Sequence, residues 1–80
     1  MLKFLRKKPK ERQPPQLLDL HGSPIYEGLT VLCHRYELGK SNVILEDLHF
    51  YYESIHSGQR VSYTKMIDAI TGNQKVEVAG

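Results

Sequence analysis

Eighty residues with a 40% apolar share suffice for one small domain and exclude a multidomain machine. No apolar run reaches the roughly 20 residues of a membrane-spanning helix, and a single cysteine excludes an intrachain disulfide. The net charge of +2 conceals an asymmetry: residues 1–12 carry six basic side chains against Glu11, net +5, while the remainder carries five basic and eight acidic, net −3.

Taken in order, residues 1–16 read as a disordered basic arm, polar, like-charged and closed by Pro14-Pro15, which favours extended backbone. Lys3, Arg6, Lys7, Lys8, Lys10 and Arg12 are the candidate contacts to nucleic-acid phosphates. Leu2, Phe4 and Leu5 among them also suit peripheral contact with an anionic membrane surface. No secretory apolar region follows the initial charges, so a cytoplasmic setting is expected.

Residues 17–80 are expected to form a single domain. Pro15–Leu20 predicts a short helix, with proline near its start and Gly22 as its stop. Ser23–Gly39 reads two ways. As a helix it has Ser23 at the N-cap, Pro24 at N1, and Ile25, Leu29, Leu32 and Tyr36 along one stripe. As strands it bends at Tyr26-Glu27-Gly28, and Leu29–Leu38 pairs with Val43 onward across a Gly-Lys-Ser-Asn loop. From Asn42 the strand reading dominates, since Val, Ile, Tyr, Phe and Thr fill runs broken by Ser57-Gly58 and Gly72-Asn73. Alternation would place Leu48, Phe50 and Tyr52 on one face and His49, Tyr51 and Glu53 on the other. Ser62–Ile70 also fits a short helix capped by Ser62, with Met66, Ile67 and Ile70 inward.

A search for catalytic chemistry yields no site. Cys33 has a base only in its neighbour His34, which on a strand points the other way, so it reads as a small buried hydrophobe. Without a second cysteine there is no zinc pattern, and no phosphate loop or nucleophile motif occurs. Neither catalytic nor metal-binding residues, nor a cofactor, are expected. The sharper candidate is an aromatic face. His49 and Tyr51, projecting opposite Phe50, form a stacking platform for single-stranded bases, an interaction worth about 1–3 kcal/mol per base.

Asn42-Val43-Ile44-Leu45-Glu46-Asp47, followed by Gly72-Asn73 and Val76-Glu77-Val78, resembles the second half of an Sm-like (LSm/Hfq) barrel. Bacterial pleckstrin-homology-like domains and other SH3-like barrels show a similar pattern. The Sm-like resemblance implies that Asn42 and Gly72 sit in loops lining an RNA-binding pore, and a short N-terminal helix fits it. Thr71 stands where that family usually has Arg or Lys.

The expected fold is therefore mainly β: a small antiparallel meander or open SH3-like barrel with a short N-terminal helix. The alternative is α+β, with a helix over 24–38 packed on a three-stranded antiparallel sheet. The expected function is a non-enzymatic binding or regulatory module that contacts nucleic acid through the basic arm, Asn42, His49 and Tyr51. The competing class is a protein adaptor or inhibitor docking through an exposed sheet edge. Homo-oligomerisation is expected of either, because so short a chain leaves strand edges and apolar surface open.

Overall fold

The computed structural model describes residues 13–79. Lys3, Arg6, Lys7, Lys8, Lys10 and Arg12 lie outside the described residues, as does most of the expected arm. Seven strands follow: β1 (Leu17–Leu18), β2 (Pro24–Ile25), β3 (Thr30–Cys33), β4 (Gly39–Glu46), β5 (His49–Ser54), β6 (Arg60–Ser62) and β7 (Val76–Val78), with one 3-10 turn at Tyr63–Lys65. Strands β3 to β6 form an antiparallel meander, and β7 crosses over to pair with β3, giving the order β6-β5-β4-β3-β7. Among the described residues this sheet does not close into a barrel.

Several expectations need correction. Pro15–Leu20 is not a helix: Leu17 and Leu18 pair as β1 with β2, Leu17 opposite Ile25. The helix over 24–38 is also absent, replaced by β2, a bend and β3. Its i, i+4 stripe gives way to a period of two, which buries Val31 and Cys33 and leaves Leu32 41% exposed. Ser62 does cap a helical turn, accepting from the Thr64 N–H at 3.2 Å, but that turn stops at Lys65. Met66 is buried there, whereas Ile67 and Ile70 point outward. Finally, Leu48 does not share the Phe50 face. Asp47 and Leu48 have φ of 53° and 64° and form the two-residue turn between β4 and β5, a position usually given to Asn-Gly.

The sequence suggests a β3–β4 turn at Gly39–Asn42, but the reversal lies earlier. Cys33 pairs with Gly39 and Thr30 with Asn42, so the chain reverses at Tyr36-Glu37, whose φ values are 60° and 56°. Leu38 explains the choice. It is fully buried, and a later turn would pull it out of the core. Holding two non-glycine residues left-handed costs about 1 kcal/mol each. Glu37→Gly should therefore stabilise the domain by up to about 0.5 kcal/mol, as glycine's greater freedom when unfolded offsets much of the gain. Urea denaturation measures this, and a destabilised variant would contradict it.

The core lies on one side of the sheet. Val43, Tyr52 and Val61 stand directly opposite one another across β4, β5 and β6, and Phe50, Val31, Val76, Leu38 and Met66 fill the space around them. Buried polar groups are paired. The Tyr52 hydroxyl donates to Gln74 Oε1 at 2.8 Å, and the Ser54 hydroxyl to the Leu38 carbonyl at 2.8 Å.

The β7 edge is covered by the segment after β1. Leu20 N–H donates to the Val76 carbonyl at 3.0 Å and Gln74 N–H to the Leu18 carbonyl at 2.8 Å. Between them the Asp19 carboxylate, 1% exposed, accepts the Val78 N–H at 2.9 Å. It also accepts the N–H groups of His21 and Ser23, each at 2.8 Å. Burial alone would raise its pKa, but these three donors outweigh it and hold the carboxyl below its ordinary value.

Candidate functional site

The face of the sheet opposite the core is built in rows set by strand register. Glu46 stands opposite His49, and Ile44 opposite Tyr51. Tyr51 in turn faces Ser62, and Glu53 faces both Asn42 and Arg60. Since directly opposed residues on antiparallel strands share a face, these side chains form one surface. His49 and Tyr51 are next-but-one neighbours on β5, and their ring centroids lie 4.9 Å apart. Tyr63, the first residue after β6, brings a third ring to 4.7 Å from His49. The three rings make a continuous half-buried ledge, Tyr63–His49–Tyr51.

Hydrogen bonding and charge fix the ledge. His49 Nε2 lies 2.6 Å from the Ser62 hydroxyl, which pins the imidazole across the β5–β6 pair. Arg60 lies along Tyr51, its guanidinium carbon 5.5 Å from the ring centroid, within cation–π range. From there it reaches Glu46 at 3.1 Å and Glu53 at 3.5 Å. The hydrogen bond to Glu46 is the main reason its guanidinium is held charged more firmly than usual. One side of Tyr51 thus carries a cation already matched by two carboxylates.

The structure brings together two of the three sequence-level candidates on the described part of the chain. His49 and Tyr51 are adjacent on the ledge. Asn42 shares the face but sits within β4, two strands from Arg60 and 3.5 Å from the Thr30 hydroxyl, and not in a loop. Gly72 does lie in a turn, with φ of 78°. Sequence reasoning misses Arg60, Ser62 and Tyr63. The Arg60-Val61-Ser62 alternation is a usable signal, because a buried Val61 turns both neighbours outward.

Other chemistry-bearing groups lie apart. Cys33 is buried, and burial pushes its thiol above the ordinary range. Glu77 takes His34 at 3.1 Å and His21 at 3.8 Å on an exposed part of β7. Among the described residues, no group of three His, Cys, Asp or Glu side chains is placed to hold a metal ion. No helix there is long and apolar enough to cross a membrane.

Comparison with protein-family models, with curated proteins and with solved structures finds no match to this chain.

Proposed function

We propose that the chain is a small non-enzymatic binding module that takes single-stranded nucleic acid on the Tyr63–His49–Tyr51 ledge. The observation that supports this most is three contiguous half-buried rings, His49 and Tyr51 on the outer face of the sheet and Tyr63 beside them where it also packs on the core, with a guanidinium at their margin. Rings so arranged offer stacking surfaces to any base, while a lone exposed aromatic offers one. Phosphate contacts come from the basic arm. The domain after residue 12 is net −3, and Arg60 is already paired with two carboxylates, so that surface alone would repel a polyanion. Lys3, Arg6, Lys7, Lys8, Lys10 and Arg12 supply the opposite charge.

Charge and stacking should therefore separate in experiment. Tyr51→Ala should weaken binding of a single-stranded oligonucleotide by about 5- to 150-fold, the loss expected for one stacked base, and leave the salt dependence unchanged. Replacing Lys7 and Lys8 by Gln should lower the slope of log affinity against log salt by about 0.7 for each phosphate no longer neutralised. Fluorescence anisotropy across a salt series reads both. A full chain that fails to bind at low salt refutes the reading.

A protein partner is the second reading, favoured by the acidic margin of the ledge formed by Glu46 and Glu53. Such a partner would bring its own cation to these carboxylates. Its binding would keep its dependence on Tyr51 and be unaffected when Lys7 and Lys8 are replaced.

A further inference from the structure

The loop between the 3-10 turn and β7 carries the most exposed large apolar side chain of the described residues, Ile70, at 92%, with Ile67 at 40%. Exposure of this kind usually marks a mobile loop, but here the backbone is tied down on several sides. Asp68 N–H donates to the Asn73 carbonyl at 2.7 Å and Gly72 N–H to the Asp68 carbonyl at 2.7 Å. The Thr71 hydroxyl donates to Asp68 Oδ2 at 2.8 Å and accepts the Asn73 N–H at 3.2 Å. Lys75 Nζ sits 3.8 Å from Asp68, and Ile67 bridges to Gln74 at the loop's base. The result is a preorganised apolar knob, the form in which a contact loses least freedom on binding.

Elsewhere on the molecule is a groove of about 260 Å³, lined by Pro14, Pro15, Ile25, Tyr26 and Phe50 with Gln13 and Gln16 at its rim. An apolar cavity of about 150 Å³ already accommodates benzene, so an isoleucine side chain fits. Ile70 of the same chain does not fill it, as its exposure shows. The flanking charges are complementary. Glu27 follows Tyr26 beside the groove and Lys65 precedes the knob, both exposed and neither in an ion pair with another described residue.

We infer that copies of this chain associate by knob and groove, Ile70 of one seating against Pro15 and Tyr26 of another. The two surfaces differ, so the contact is heterologous and each copy retains a free knob or groove for a further one unless a ring closes. The contact uses neither the ledge nor the basic side chains of residues 3–12, so it stands apart from nucleic-acid binding.

Two variants of the full chain test this by complementation. Ile70→Asp removes the knob and keeps the groove, and Tyr26→Asp does the reverse. Both sites are largely exposed, Tyr26 at 59%, so both variants should melt within a few degrees of the parent. In sedimentation velocity without nucleic acid, the parent's average mass should rise with concentration, while each variant alone stays monomeric. Their equimolar mixture should form a one-to-one complex that grows no further, since one knob and one groove remain intact between them. A parent that is monomeric at millimolar concentration overturns the inference. So does a mixture that stays monomeric, because a contact between two identical patches cannot be restored by pairing these variants.

Discussion

Asp19→Ala is expected to cost about 3–5 kcal/mol, most of the stability a domain of this size holds. Three backbone N–H groups, from His21, Ser23 and Val78, converge on this one buried carboxylate. Hydrogen bonds to a charged group contribute about 1.5–3 kcal/mol each, and donors stranded in the interior cost further. The damage extends beyond the turn, because Val78 lies on the sheet edge and Asp19 joins it to the β1 segment across 59 positions of sequence. Asp19→Asn should cost less, since its remaining oxygen still serves His21 and Ser23 and only Val78 is left without its acceptor. Urea denaturation gives the size, and faster amide exchange at Val78 in the Asn variant gives the cause. An Asp19→Ala protein within about 1 kcal/mol of the parent would mean that water replaces the carboxylate.

The same residue sets a pH dependence. Its folded pKa is depressed, so its contribution is fully present above the unfolded value, about 3.9. It is lost as pH falls below that and through the folded value. Asp68 acts in the same direction, held low chiefly by the Thr71 hydroxyl. Acid should therefore destabilise the parent more steeply than Asp19→Asn, with the Asp68 part remaining in both.

Phe50→Ala should unfold the domain or nearly so, while Tyr51→Ala one position on should leave it folded. Phe50 is 4% exposed and stands opposite Leu45 on the core face. Truncating a buried phenylalanine costs about 3–5 kcal/mol through forfeited transfer energy and the cavity left behind. Tyr51 is half-buried on the other face, and its removal gives up its packing on His49 and Arg60, about 1 kcal/mol together. Two thermal melts and the oligonucleotide titration compare them. Similar destabilisation by both would contradict the two-faced strand.

Local signals make part of this legible. The run from His49 to Ser54 is long enough, and rich enough in aromatic residues, for its alternation to define a strand with Phe50 and Tyr52 inward. That period is a property of the backbone and needs no partner. Unlike the reversal at Asp47-Leu48 inside the apolar run after Asn42, the strands at Arg60–Ser62 and Val76–Val78, and the turns at Gly58 and Gly72, follow from the same local chemistry. So do His49 and Tyr51 as neighbours on the outer face, which their spacing alone requires.

Other features depend on contacts distant in sequence. Proline and glycine bracket Pro15–Leu20 as they would a helix, but a helix of two turns gains little by itself. Leu17 and Ile25 instead bury themselves as a strand pair over the core, and Leu18, Asp19 and Leu20 bond the β7 edge. Tyr36-Glu37 carries none of the usual turn residues, and Asp47-Leu48 has the aspartate but no glycine after it. They turn left-handed because burying Leu38 and aligning Leu45 with Phe50 outweigh about 1 kcal/mol of strain per residue. The ledge shows the division most clearly. Composition puts rings on β5, but only the β5–β6 register, with Tyr51 facing Ser62, decides that Ser62, Tyr63 and Arg60 meet them. A one-residue slip would turn Arg60 and Ser62 away, and that register is held by Tyr52 and Val61 pairing in the core, a contact between strands that neither segment encodes alone.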